Sequence, residues 1–98
     1  MLATGDAVIY HDEHGTAHNA LLTVVWGSGV DKDNKVFYDD TGCVNLVFVS
    51  GDDSKQDGYG RQTERRSSVV HVSKTAVHGN YWRKADEAAR PYSAPASV

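Results

Sequence analysis

The sequence predicts a mainly all-β protein, a small and partly open barrel of five to six strands with a long polar loop. Three observations carry that prediction. Short runs rich in Val, Ile, Tyr, Phe and Trp recur along the chain between turns bearing Gly, Asp and Asn. No stretch shows the apolar spacing of a convincing amphipathic helix. At 98 residues the chain supports one domain and one small core.

Residues 5–11, Gly-Asp-Ala-Val-Ile-Tyr-His, form a short apolar run behind a Gly-Asp turn and read as the first strand. Asp12, Glu13, His14 and Gly15 make a polar turn, and residues 16–26 follow as a second strand, so the pair reads as a hairpin. His18, Ala20, Leu22, Val24 and Trp26 share one face of that strand, and Leu21 and Val25 put apolar groups on the other. Both faces turn apolar toward its end, as expected where a strand bends into a closed sheet. Trp26 reads as core. After a solvated loop, residues 36–38 resume a strand, residues 39–42 turn it, and residues 43–50 form a strand expected to be central. Residues 51–58 make a long polar connection. Residues 67–72 read as a strand, 73–79 as a link holding a helical turn, and 80–82 as the closing strand. The domain is expected to span 1–84, with 85–98 a disordered tail around Pro91 and Pro95.

Composition excludes several classes. A net charge of −3 and a pI of about 5.9 argue against a nucleic-acid coat, which needs a broad basic face. Cys43 is the only cysteine, so no intramolecular disulfide can form; its place beside an apolar run predicts a buried structural thiol. The start of the chain lacks the pattern of a signal peptide, and no apolar run reaches membrane-spanning length. A cytoplasmic protein without membrane partners is expected.

Chemistry-bearing residues concentrate between 57 and 82. Arg61, Arg65 and Arg66 carry forks that match phosphate or carboxylate oxygens. Tyr59, Tyr81 and Trp82 offer rings for stacking, while His71, His78 and Asn80 offer directed hydrogen bonds. The structural alternative is that Asp52, Asp53, Asp57 and Glu64 balance the cations and the large aromatics fill the core. His11, Asp12, Glu13, His14 and His18 hold the residue types of a metal site, but a hairpin turn scatters neighbours to opposite faces, so a solvated turn is expected and no metal or cofactor. Ser67, Ser68, His71 and His78 lack a nucleophile elbow, so no catalytic residues are assigned.

The opening pattern, residues 5–10, 12–15 and 20–27, resembles the first hairpin of SH3-like barrels of the Tudor and KOW types. With residues 44–47, 57–62 and 78–82 the chain is similar to small proteins of tailed bacteriophages. That resemblance implies an SH3-like barrel made in a bacterial host cytoplasm and implies no activity. The resulting expectation is a non-enzymatic binding module for a small anionic ligand, with a nucleotide foremost, which a phage would use to sequester a host immune signal. A protein-interaction or virion-assembly module, including a homo-oligomer, and a nucleic-acid binder are the alternatives.

Overall fold

The computed structural model describes residues 2–26, 29–30, 32–34, 36–37, 41–75 and 79–89, with the backbone alone at 29–30 and 36–37. Tyr38, His78 and the part of the expected tail from residue 90 lie outside the described residues. The strands are β1 (Ala7–His11), β2 (Ala17–Val25), β3 (Gly29–Val30), β4 (Val36–Phe37), β5 (Val44–Val49), β6 (Gln56–Asp57), β7 (Gly60–Arg61), β8 (Thr63–His71) and β9 (Tyr81–Arg83). A 3-10 turn, Val72–Lys74, precedes β9. The protein is therefore a small all-β barrel. Among the described residues no helix is long and apolar enough to cross a membrane.

The barrel runs β1-β2-β5-β8-β9 and closes, where a partly open one was expected. Closure comes from β9, which pairs antiparallel with β1 and parallel with β8. The β3-β4 and β6-β7 pairs are two-residue ribbons set into the connections. The ribbon β6-β7 gives the expected polar loop a hairpin of its own.

Alternation supplies the core. Val8 and Tyr10 of β1, Ala20 and Leu22 of β2, Val44, Leu46 and Phe48 of β5, and Val69 of β8 all point inward and are buried. Trp82 completes this cluster at 0% exposure, with its indole N–H donating to the Gly42 carbonyl at 2.9 Å. A buried indole with its one polar atom satisfied is worth about 3–5 kcal/mol against Ala.

Two register shifts break the alternation. In β2 the pairing with β5 slips between Leu22 and Val24, so Val25 packs on the core. Trp26 is thereby sent outward, 58% exposed, which corrects its expected place in the core. In β8 the step from Val69 to Arg66 spans three residues against two on β5, from Val44 to Leu46. The extra residue is taken up at Ser67 and Ser68, where Ser68 has φ +54°. Strict alternation from Val69 would turn Ser67 and Arg65 inward. The bulge instead turns Arg66 and Glu64 toward the interior side, level with Leu46 and Phe48.

Asn45 lies between the two irregularities. Its Oδ1 accepts from the Ser68 backbone N–H and from the Trp26 indole N–H, each at 2.9 Å. The outer face of β5 is partly open, so this strand is not apolar-buried on both sides as its sequence suggested. Cys43, just before β5, is likewise only half-buried.

Asn45→Ala is expected to lower stability by about 0.5–1.5 kcal/mol, the net worth of hydrogen bonds whose donors water can reach. Asn19→Ala, on the exposed face of β2, is expected to change it by less than about 0.5 kcal/mol. Urea unfolding of the two variants checks this; equal effects would remove Asn45 from its central role.

Candidate functional site

The inward face of the barrel becomes polar at one end. In the β1-β2 register Tyr10 stands opposite His18, one step beyond Val8 and Ala20. On β5 and β8, Phe48 stands opposite Glu64, and Leu46 opposite Arg66. Tyr10, His18, Phe48, Glu64 and Arg66, with Asp12, Asp52 and Asn80, surround a cleft of about 430 Å³ at the barrel mouth. A smaller cavity of about 210 Å³ adjoins it along Ser67 and Ser68, and Tyr10, Arg66 and Asn80 border both. The larger volume falls in the range of small-molecule sites.

Asp12 organises one wall. Its Oδ1 accepts from the backbone N–H groups of His14 and Thr16 at 2.9 and 3.0 Å, which shapes the β1-β2 turn. Its Oδ2 accepts from His18 Nε2 at 2.7 Å. Burial pushes the Asp12 carboxyl upward, but the His18 and backbone hydrogen bonds outweigh it, and the group titrates below the usual aspartate value. The His18 ring tilts against Phe48, with centroids 4.6 Å apart.

Arg66 forms the opposite wall. Its guanidinium lies over the Phe48 ring, 5.1 Å from the centroid. Nη1 donates to the Arg65 carbonyl at 2.9 Å, and Nη2 is 3.6 Å from Glu64 Oε1. Glu64 is already engaged by Lys55 Nζ at 3.0 Å and the Ser50 hydroxyl at 2.8 Å. Those two hydrogen bonds, Lys55 foremost, hold its carboxyl below the ordinary glutamate range. Burial raises the Tyr10 phenol despite the lowering pull of Arg66, so the hydroxyl stays a donor at neutral pH.

Asn80 enters from the segment before β9. It sits at φ +58°, a left-handed conformation that Asn tolerates. Its N–H donates to the carbonyls of His11 and Asp12 at 2.7 and 3.2 Å. Gly79 makes this approach possible, because a Cβ there would overlap the Asp12 carbonyl. Asn80 Oδ1 accepts from the Tyr10 hydroxyl at 3.3 Å, and Nδ2 has no partner among the described residues.

Of the nine residues singled out in the sequence, the structure brings Arg66 and Asn80 to this cleft. Arg61 is held by Asp53 at 2.7 Å and by the Ser50 carbonyl, clasping the β6-β7 hairpin to its loop. Arg65 points outward from β8, exposed and with no side-chain partner among the described residues. Tyr59 tips the β6-β7 hairpin fully in solvent, its N–H held by Asp57. Tyr81 and Trp82 are wholly buried and present no open ring face. His78 lies outside the described residues.

His71 is a buried clamp. Its Nδ1 accepts from the Ser73 N–H at 3.2 Å, capping the 3-10 turn. Its Nε2–H faces both Glu87 oxygens at 2.9 and 3.0 Å, while the Glu87 carbonyl accepts from Arg83 Nη1 at 2.9 Å. The chain to Glu87 is thus packed on the barrel, and the domain boundary expected at 84 falls short of this contact.

The sequence reading assigned Tyr10 and Phe48 no site role and set Asp12 and His18 aside as part of a solvated turn. The signal was the hairpin register, which aligns Tyr10 with His18 at the open end of the core face. Among the described residues no three His, Cys, Asp or Glu side chains gather as metal ligands do. No protein-family model matches the chain, and no significant match exists to a curated protein or a solved structure.

Two measurements test this arrangement. Asp12→Ala is expected to cost about 1.5–3 kcal/mol at pH 7, the range for hydrogen bonds to a charged group. Because the folded pKa is depressed, that contribution is present above the ordinary value of 3.8 and is lost as pH falls through the lower folded value. The gap between wild-type and variant melting midpoints should therefore narrow below that pH; a gap independent of pH would contradict it. Separately, a chain ending at Asp86 is expected to melt below one ending at Ala89, because only the first leaves buried His71 without Glu87.

Proposed function

We propose that the protein is a binding module whose ligand enters the barrel mouth and presents one anionic group, a carboxylate or a phosphate, to Arg66 and Asn80. The observation that carries this reading is the bulge at Ser67 and Ser68, which turns the Arg66 guanidinium inward beside an Asn80 amide that has no partner among the described residues. Bulges serve at sites to re-aim a side chain, and a left-handed non-Gly residue at the same place is a second local cost. The carboxylates nearest to them are already occupied. Asp12 takes three donors, and Glu64 takes Lys55 and Ser50. Donors of Arg66 and Asn80 remain for an anion at this end of the cleft.

The nucleotide form of this reading draws less support than the anion. Tyr81 and Trp82 have no open face, and Arg66 alone of the three arginines borders the cleft, which suits one anionic group better than a polyphosphate. Sequestration of a host signal by a phage protein rests on the resemblance to phage proteins.

Thermal melts with millimolar phosphate, acetate, citrate and nucleotides test the proposal. A ligand should raise the wild-type stability by RT ln(1 + [L]/Kd), about 2.7 kcal/mol at a hundredfold excess over Kd. Arg66→Gln and Asn80→Asp should lose that rise, the latter keeping the side-chain shape and the Tyr10 hydrogen bond. Arg61→Gln and Arg65→Gln should keep it. A rise that survives Arg66→Gln, or the absence of any rise across the panel, would overturn the assignment.

A further inference from the structure

The charges around the cleft do not suit a pure anion. Besides Arg66, its walls carry Asp12, Glu13, Asp52 and Glu64. A ligand that is negative throughout would meet repulsion from every one of them except where Arg66 and Asn80 face it. Asp12 and Glu64 each have a donor on both carboxylate oxygens, whereas the far wall retains open acceptors. Asp52 uses Oδ1 for the Ser54 N–H and hydroxyl at 2.9 and 2.7 Å, and its Oδ2 accepts from no described residue. Those Ser54 bonds hold the Asp52 carboxyl below the usual range, so it is charged at neutral pH. His18 commits Nε2–H to Asp12, which leaves the Nδ1 lone pair without a partner among the described residues. Gly51, next to Asp52, lies beside Cε1 of that imidazole, so the loop and the ring edge share one side of the cleft. Open donors stand on one wall and open acceptors on the other.

We infer that the ligand is zwitterionic: its anionic group meets Arg66 and Asn80, and a protonated amine meets Asp52 and the free nitrogen of His18. The inference rests on the anion site proposed above and adds the second pole of the molecule. It names a class of small amino-bearing acids, amino carboxylates and amino phosphates, of a size that a cleft of about 430 Å³ admits. The amine takes the open acceptors of Asp52 and His18 and cancels charge that would repel a simple anion.

The test compares two probes that differ in one group. O-phosphoethanolamine and propyl phosphate have the same length, and a methyl group in one replaces the ammonium of the other. Titration calorimetry at pH 7.5 on wild-type protein should show the zwitterion binding roughly tenfold tighter or more, the advantage of one charge-assisted hydrogen bond. The pair β-alanine and butyrate repeats the comparison with a carboxylate. In Asp52→Asn, which keeps the Oδ1 acceptor for Ser54, the preference should vanish and propyl phosphate should bind at least as well as before. Equal affinities for the two probes in wild type would overturn the zwitterion inference and leave the anion site standing. A preference undiminished in Asp52→Asn would also overturn it, by placing the amine elsewhere. If neither phosphate nor carboxylate binds, the anion site itself falls and this inference falls with it.

Discussion

One carboxamide oxygen ties together the two places where the barrel's strands slip out of register. Asn45 Oδ1 receives the Ser68 N–H from β8 and the Trp26 indole N–H from the end of β2. Each donor belongs to a strand whose register slips against β5, and a slipped ladder leaves backbone groups that need partners. By filling that need on one side, Asn45 fixes which residues of β8 look inward. Arg66 and Glu64 then sit at the mouth, and Arg65 is left on the outer surface. The position of the cleft's cation thus follows from a hydrogen bond on the other face of the sheet.

Buried imidazoles work in a similar way at the ends of the strands. His11 donates from Nδ1 to the Gly15 carbonyl, accepts at Nε2 from Arg83 and stacks on Tyr81 with ring centroids 4.6 Å apart. His71 caps the 3-10 turn and binds Glu87 while its ring meets the edge of Trp82. Each ties a long strand to the short closing strand, which has only three residues with which to make its own ladder. Satisfied polar groups of this kind are costly to disturb, because either partner would be left desolvated and unpaired.

The fold was legible in the sequence to the extent that alternation governs it. Val8, Tyr10, Ala20, Leu22, Leu46 and Phe48 follow period two, and the turns between them carry their usual residues. What escaped was every consequence of a single inserted residue. Trp26 was expected inside because strict alternation from Leu22 puts it there, and only the bulge sends it out. The same limit applies to the site. Three arginines close together on one stretch gave no sign of which faces the cleft, since the answer depends on a slip at Ser67 and Ser68. Asn80 was visible as an amide near aromatics, whereas its left-handed backbone and its approach to Asp12 come from tertiary packing around Gly79. His18 stood in plain view on the core face of β2, set aside as part of a solvated turn.

The order in which the parts of the cleft appear along the chain has a consequence for biosynthesis. Tyr10, Asp12 and His18 emerge from the ribosome first and Arg66 much later, while Asn80 arrives just before the strand that closes the barrel against β1. A nascent chain can form the β1-β2 hairpin early, but it has no complete cleft until nearly all of the described residues are made. The pairing of β9 with β1 joins segments some seventy residues apart, so it carries the largest loop-closure entropy of the barrel's seams. The cleft is therefore among the last features of the barrel to be completed, and its full lining reports that β9 has docked on β1.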